Sequence, residues 1–397
     1  MKGFSAILII VILSILVIVT MIFFMKYNDE NAVNEKLLAV PRYDWREYID
    51  YLKTVIDVPL KDEVQLFGFS NKINVELCLS IKTALLSGFQ YQLIGPNVID
   101  SVSKKLTHSI FSRCLIKWIA VSAIIEKMPD NVFIIVADTF DVTYQMDPRS
   151  FYEKYHQFIK KNKDYENNVI FNSELNCWPY RYDKNYRCLK HSGERFYNLY
   201  AKNSLRFFKQ DNIKENPIGC QIQEKISKER KLPSNKYLNA GVSLGLVSSY
   251  RSLMLPFWQE ISKSPLGCID DQGVMGWLYG TKEGNISLDY EGKLVDHVLH
   301  QNFDFDEREG IFRNKLLKNS DDKIFNYTLL VHHSGDKSKY VTMVRSLSKW
   351  METNKQKLVD NSTFYINGVE KKYIDVCGKF TEKDIEALDI KHNKPKH

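Results

Sequence analysis

Apolar and polar positions along this chain fall into short alternating blocks that predict strands and helices in turn. Val64 to Gly68 is a brief apolar run that reads as a strand, and Val75 to Ser87 carries Leu77, Ile81, Leu85 and Leu86 at helical spacing. Tyr91 to Gly95 reads as a second strand closed by a Gly-Pro stop. Ser112 to Lys127 is an amphipathic helix, and Val132 to Val136 is almost continuously apolar, as expected of a strand covered on both faces. This alternation is the signature of a parallel α/β sheet. Later strands are predicted at Val169 to Asn172, Gly241 to Val247, Ile286 to Leu288 and Thr328 to His332, with helices at Tyr250 to Lys263 and Gln272 to Leu278. No internal repeat is apparent.

Two stretches break the pattern. Residues 182–232 are rich in Lys and Asn with few periodic apolar positions and read as an insertion. Phe4 to Met25 is the opposite: 22 residues with no charge, about 33 Å long as a helix, enough to cross a bilayer. It is expected to be an uncleaved anchor, since a signal peptide has a shorter apolar region and a small-residue cleavage site. Between it and the first strand, Arg42 to Val55 repeats Tyr43, Tyr48, Tyr51 and Leu52 at helical intervals and predicts a membrane-proximal helix in a stem.

Composition adds bounds. With 397 residues, 44% hydrophobic and 13% aromatic, the chain can bury one large core or two modest ones. Its net charge of +7 is spread along the chain, whereas nucleic-acid binding calls for a dense patch, so no nucleic-acid partner is expected. Sequons at Asn285, Asn326 and Asn361 favour a lumenal body. Seven cysteines have no zinc spacing. Cys177 and Cys188 are close enough in sequence to pair, and buried free thiols are the equal alternative.

The chemistry concentrates in Phe133-Ile-Ile-Val-Ala-Asp138-Thr-Phe-Asp141-Val, where a buried strand ends in two carboxylates three residues apart. Ligands of open α/β sheets bind at the carboxyl ends of strands. Two carboxylates leaving one strand end repel each other unless a cation sits between them, and a diphosphate supplies further oxygen ligands to such a cation. The plainer alternative makes Asp138 a turn cap and Asp141 a solvated acid. A phosphatase of the Asp-x-Asp type has a spacing of two instead of three.

Several blocks, in order over roughly residues 64 to 340, resemble the glycosyltransferase domain of the lysyl hydroxylases, enzymes that glucosylate galactosyl-hydroxylysine in collagen. Asp138-Thr-Phe-Asp141-Val is similar to that family's Asp-Ser-Tyr-Asp-Val, and Asn172-Ser-Glu174 with Cys177-Trp178-Pro179 to its Ser-Ala-Glu and Cys-Trp-Pro. Leu238-Asn239-Ala-Gly241-Val resembles Leu-Asn-Ser-Gly-Gly, Asp270-Asp271-Gln272 resembles Asp-Asp-Gln, and Leu288-Asp289-Tyr290 resembles Leu-Asp-His. Val331-His332-His333-Ser334-Gly335 is similar to Val-His-Gly-Asn-Gly.

The resemblance implies a GT-A-like nucleotide-sugar-binding fold with a mixed, mainly parallel sheet and Mn2+ held by Asp138, Asp141 and His332. It places Trp118, Phe140, Asn239 and Gly241 on the donor, Glu174 and Trp178 on the acceptor side, and Asp270 and Asp271 near the reacting carbon. Acids at 270 and 271 also suit a helix N-terminus. Leu115 stands where the family has a basic residue before the tryptophan block, and Ser334 where it has asparagine, so donor sugar or affinity is expected to differ. No His-x-Asp with a distant His follows the transferase region, so hydroxylation is not expected.

The expected organisation is a cytoplasmic end (1–3), an anchor (4–25), a stem (26–62), a transferase domain (63–345) interrupted at 182–232, and an extension with a polar tail (346–397). The expected activity is transfer of glucose or galactose, with retention, from a UDP-sugar to a hydroxyl of a glycan, protein or lipid. The expected setting is a type II membrane protein of the Golgi or endoplasmic reticulum. The alternatives are a non-catalytic binding protein of the same fold and, less favoured, a metal-dependent phosphatase.

Overall fold

The computed structural model describes residues 45–59, 63–95, 97–98, 110–175, 177, 218–231, 236–262, 271–297, 303–308, 311–314, 330–333, 337–355 and 359–378. The apolar run Phe4 to Met25, the polar tail, Trp178, Asp270 and Ser334 lie outside them. Among the described residues no helix is long and apolar enough to cross a membrane.

The chain is mixed α/β around a mainly parallel sheet, compatible with a Rossmann-like arrangement. Its strands are β1 (Val64–Phe69), β2 (Tyr91–Ile94), β3 (Phe133–Ala137), β5 (Val169–Glu174), β6 (Tyr237–Leu246), β7 (Ile286–Asp289), β12 (Thr363–Ile366) and β13 (Val369–Lys372). They lie side by side as β13-β12-β2-β1-β3-β6-β5-β7. β12, β2, β1, β3, β5 and β7 run one way, while β6 and the edge strand β13 run the other. A small second sheet joins β4 (Val142–Tyr144), β11 (Leu330–His332) and β8 (Val295–His297), and β9 (Phe303–Asp306) pairs with β10 (Ile311–Asn314).

Both faces of the large sheet are covered, which is why its central strand is apolar throughout. Phe133, Ile135 and Ala137 enter one cluster with α2 (Val75–Ser87), α4 (Pro148–Lys161) and α8 (Lys337–Lys355). Ile134 and Val136 face the other, with α3 (Ile110–Ile125), α6 (Val247–Ser262) and α7 (Asp271–Thr281). The period-2 alternation of a strand divides the residues between the layers.

The segment expected as a membrane-proximal stem helix belongs to this body. Helix α1 (Trp45–Val55) buries Trp45, Tyr48, Ile49 and Leu52, an i, i+3, i+4, i+7 stripe, and packs on α3. Burying each such side chain contributes about 1.5–3 kcal/mol. Trp45 stacks on Trp258 with centroids 5.2 Å apart, whereas Tyr51 is exposed.

A boundary at 345 likewise falls inside α8, and the packed body continues beyond it. β12 joins the sheet beside β2, and Asn367-Gly368 turns the chain into β13 with φ of 52° and 84°. Asn-Gly between alternating residues is a hairpin signal. Helix α9 (Tyr373–Cys377) then returns to α2 through a Cys78–Cys377 disulfide.

Within the expected insertion, residues 218–230 form helix α5 (Ile218–Arg230). It packs against α7, where a side chain at Gly280 would strike Ile222 and one at Gly276 would meet Gln223. Its buried face carries Gln223 and Ser227, so the apolar pattern is faint.

Candidate metal and substrate site

Asp138, Asp141 and His332 meet at the carboxyl edge of the parallel strands. β3 ends at Ala137, and Asp138 is anchored at once by its N–H, which donates to Gly241 O at 2.6 Å. Four residues on, the chain enters β4, which pairs with β11 so that Val142 lies opposite His332. The His333 N–H donates to Asp141 O at 2.7 Å, which locks the two segments side by side. One donor atom from each of Asp138, Asp141 and His332 lies within 4.8 Å of the others, and the group could hold a metal ion. An octahedral ion with bonds of about 2.1 Å sets donors roughly 3–4.2 Å apart, so small side-chain rotations would close the site.

A bulge in β6 builds the floor. Pairing with β5 jumps from Phe171–Ser243 to Asn172–Asn239, so Ala240, Gly241 and Val242 oppose no residue of β5. Bulges of this kind re-aim groups beside functional sites. The backbone groups they free find partners within the site: Ala240 O accepts from Lys117 Nζ at 2.8 Å, and Ala240 N–H donates to Gln272 Oε1 at 3.0 Å. Gly241 N–H donates to Asn239 Oδ1 at 2.8 Å. A Cβ at Gly241 would sit 2.2 Å from His332 Cε1 and 2.7 Å from Nε2, so glycine leaves the space the imidazole fills.

The electrostatics are dominated by burial. Desolvation by burial raises the Asp138 pKa, and Asp141 and Asp271 add to this, while Lys117 and His332 oppose it. The Asp138 side chain nonetheless keeps 45% of its surface exposed. For His332, desolvation favours the neutral ring, but the carboxylates of Asp141, Asp138 and Glu174 together outweigh it and raise the pKa. His332 Nε2 makes no hydrogen bond and lies 3.5 Å from Asp141 Oδ1. Burial pushes Glu174 up to about 7, despite hydrogen bonds from Gln272 and Asn239 and the pull of His332.

The sequence-predicted residues do not all land alike. Glu174 and Asn239 are buried beside the metal group, Glu174 accepting from Gln272 Nε2 at 2.6 Å and facing His297 Nε2 at 3.6 Å. Asp271 opens α7 and is nearly fully buried, held by Trp118 Nε1–H at 2.8 Å and by Lys117 at 3.4 Å. Trp118, expected against the donor, is instead wholly inside the protein between Phe171 and Phe257, because its helix turns this face to the core. It supports Asp271 and offers no open face for stacking. Phe140 is partly exposed, with Lys72 Nζ 5.7 Å from its ring centroid.

Four participants were not singled out in the sequence. Lys117 lies two residues beyond Leu115, where a basic residue was expected to be lost, and brings a cation between Asp138 and Asp271. Gln272 bridges β6 and Glu174, Asn172 contacts His332, and His297 pairs in register with His332 on the small sheet. Polar residues with no room to be solvated inside an apolar strand or helix were the available signal. Asp289, in the Leu-Asp-Tyr block, serves the fold: it accepts from the N–H groups of Lys293, Leu294 and Val295. Burial still pushes its pKa up to about 6.

No protein-family model matches this chain, and a search of curated proteins finds no significant match.

Proposed function

We propose that this chain is a metal-dependent glycosyltransferase that moves a hexose, glucose or galactose, from a UDP-sugar to an acceptor hydroxyl with retention of configuration. The observation that carries this reading is the convergence of Asp138, Asp141 and an imidazole whose Nε2 makes no hydrogen bond and faces Asp141, at the carboxyl edge of a mainly parallel α/β sheet. The donor set fits a divalent cation such as Mn2+: two carboxylates, one nitrogen, and no Cβ at Gly241 to crowd it. When bound, such an ion supplies the positive charge that a departing diphosphate needs.

The chain's own residues supply the rest. Lys117 keeps a second cation beside Asp138, able to turn toward a phosphate oxygen. Glu174, held near neutral pKa and hydrogen-bonded to Gln272, can exchange a proton on the acceptor side. Asp271, fixed at the start of α7, and Asp270 before it are proposed to face the sugar.

The reading extends to a membrane-anchored, type II setting in the Golgi or endoplasmic reticulum, with this body lumenal. Three disulfide-bonded cysteines, Cys78, Cys377 and Cys177, fit an oxidising compartment, and Asn285 and Asn361 both have exposed positions.

The test is a panel of UDP-sugars assayed for transfer and for hydrolysis, with Mn2+ and with a chelator. Mn2+-dependent release of UDP from one hexose donor, lost in Asp138→Ala and Asp141→Ala, is expected. Binding of UDP-sugar without turnover would leave a non-catalytic binding protein, and phosphate release from simple esters without sugar-nucleotide dependence would make it a phosphatase.

A further inference from the structure

The imidazole of His332 is gripped through its other nitrogen. Asn172 is fully buried on β5, immediately after the register jump against β6. The amide orientation that satisfies every neighbour has its Nδ2 donating to Asn239 O at 2.9 Å and to Val242 O at 3.2 Å. Its Oδ1 then has one donor within reach, His332 Nδ1–H, at 3.1 Å. The acceptors of the Nδ2 group belong to Asn239, which borders the bulge, and to Val242 within it, so the same irregularity that delivers Gly241 to one side of the ring fixes Asn172 on the other.

We infer that Asn172 is a positioning residue for the metal site, holding His332 as the Nδ1–H tautomer so that the Nε2 lone pair faces Asp138 and Asp141. A ring nitrogen that donates to a fixed oxygen cannot also be the basic one, and the proton's place on Nδ1 leaves the electron pair on Nε2. The ring is confined on two sides: it fills the space where a Cβ at Gly241 would lie 2.2 Å from Cε1, and His297 packs edge-on with centroids 5.6 Å apart. Outer hydrogen-bond partners of metal-binding histidines typically change metal affinity by about 10–100-fold when removed. The role of the tautomer rests on the metal reading above; the tautomer itself does not.

Two measurements separate the questions. First, 15N NMR of metal-free wild-type protein, at a pH where the ring is neutral, should show His332 protonated on Nδ1; protonation on Nε2 would overturn the inference. Second, Mn2+ affinity should fall about 10–100-fold in Asn172→Leu, a similar volume with no acceptor, and recover in Asn172→Asp, whose buried carboxyl, in its acid form, donates to one of the facing carbonyls and still accepts from Nδ1–H. A folded Leu variant with unchanged tautomer and affinity would also overturn it. If Asn172→Leu does not fold, the wild-type spectrum and the Asp variant decide. Failure of wild-type protein to bind Mn2+ would remove the metal reading while the NMR result still judges Asn172.

Discussion

Lys117 Nζ lies 3.2 Å from Asp138 Oδ1, a contact between helix α3 and the end of strand β3 that ties two layers together at the mouth of the site. The ammonium also reaches Asp271 Oδ2 at 3.4 Å and is only 10% exposed. Three groups that would each be costly to bury alone are thereby made compatible.

Lys117→Met should therefore cost stability even though methionine fills the space. The loss is expected to be about 2 kcal/mol, below the figure for a fully buried pair because Asp138 is open on one side. Added Mn2+ should raise the melting temperature of this variant more than that of the wild type, since the ion takes over neutralisation of Asp138. Equal shifts in both proteins would show that Lys117 and the ion do not share that carboxylate.

Gly241→Ala places a methyl 2.2 Å from His332 Cε1. The imidazole must move, so Mn2+ affinity and Mn2+-dependent turnover should each drop at least about 10-fold, with an overpacking cost of about 1–3 kcal/mol. Titration calorimetry with Mn2+ and thermal melts of the same samples would check both parts.

Glu174 makes stability depend on pH in an unusual direction. Its folded pKa, pushed up to about 7 by burial, lies above the ordinary 4.5, so between those values the folded chain holds a proton that the unfolded chain has lost. Stability then falls as pH rises from about 4.5 to 7, by up to about 3 kcal/mol, and the cost persists above. Glu174→Gln, which still offers Gln272 an oxygen acceptor, should be more stable than wild type at pH 8 and match it below pH 4. Asp289 acts in the same direction but in both proteins, so it cancels in the comparison. Urea denaturation across pH 4 to 8 would reveal parallel curves if Glu174 is not the group responsible.

The Cys78–Cys377 disulfide closes a loop of 299 residues and pins the C-terminal hairpin against α2. Replacing both cysteines with serine should cost about 2–4 kcal/mol. Because β12 pairs with β2 through only two residue positions, Tyr365 and Ile366, proteolysis of the double variant should begin in the hairpin. Cleavage spread evenly through the chain would argue that the sheet alone secures that edge.

The sequence by itself determined the α/β class, the central strand Phe133–Ala137 with Asp138 and Asp141 at its end, and most strands and helices of the large sheet, because local period and burial on both faces leave a one-dimensional trace. It also singled out His332, through the likeness of its block to a known family. It left the edges of the body unmarked: α1 has a clear stripe but no label saying which surface receives it, and the β12–β13 hairpin declares itself only through Asn367-Gly368. What tertiary structure alone decided is which polar residues converge. Lys117, Asn172, Gln272 and His297 sit on four different elements, and Trp118 turned inward where it was expected to face a donor. Their meeting depends on a three-residue jump in the register of β6 against β5, and a register is set by long-range pairing that local periodicity does not encode.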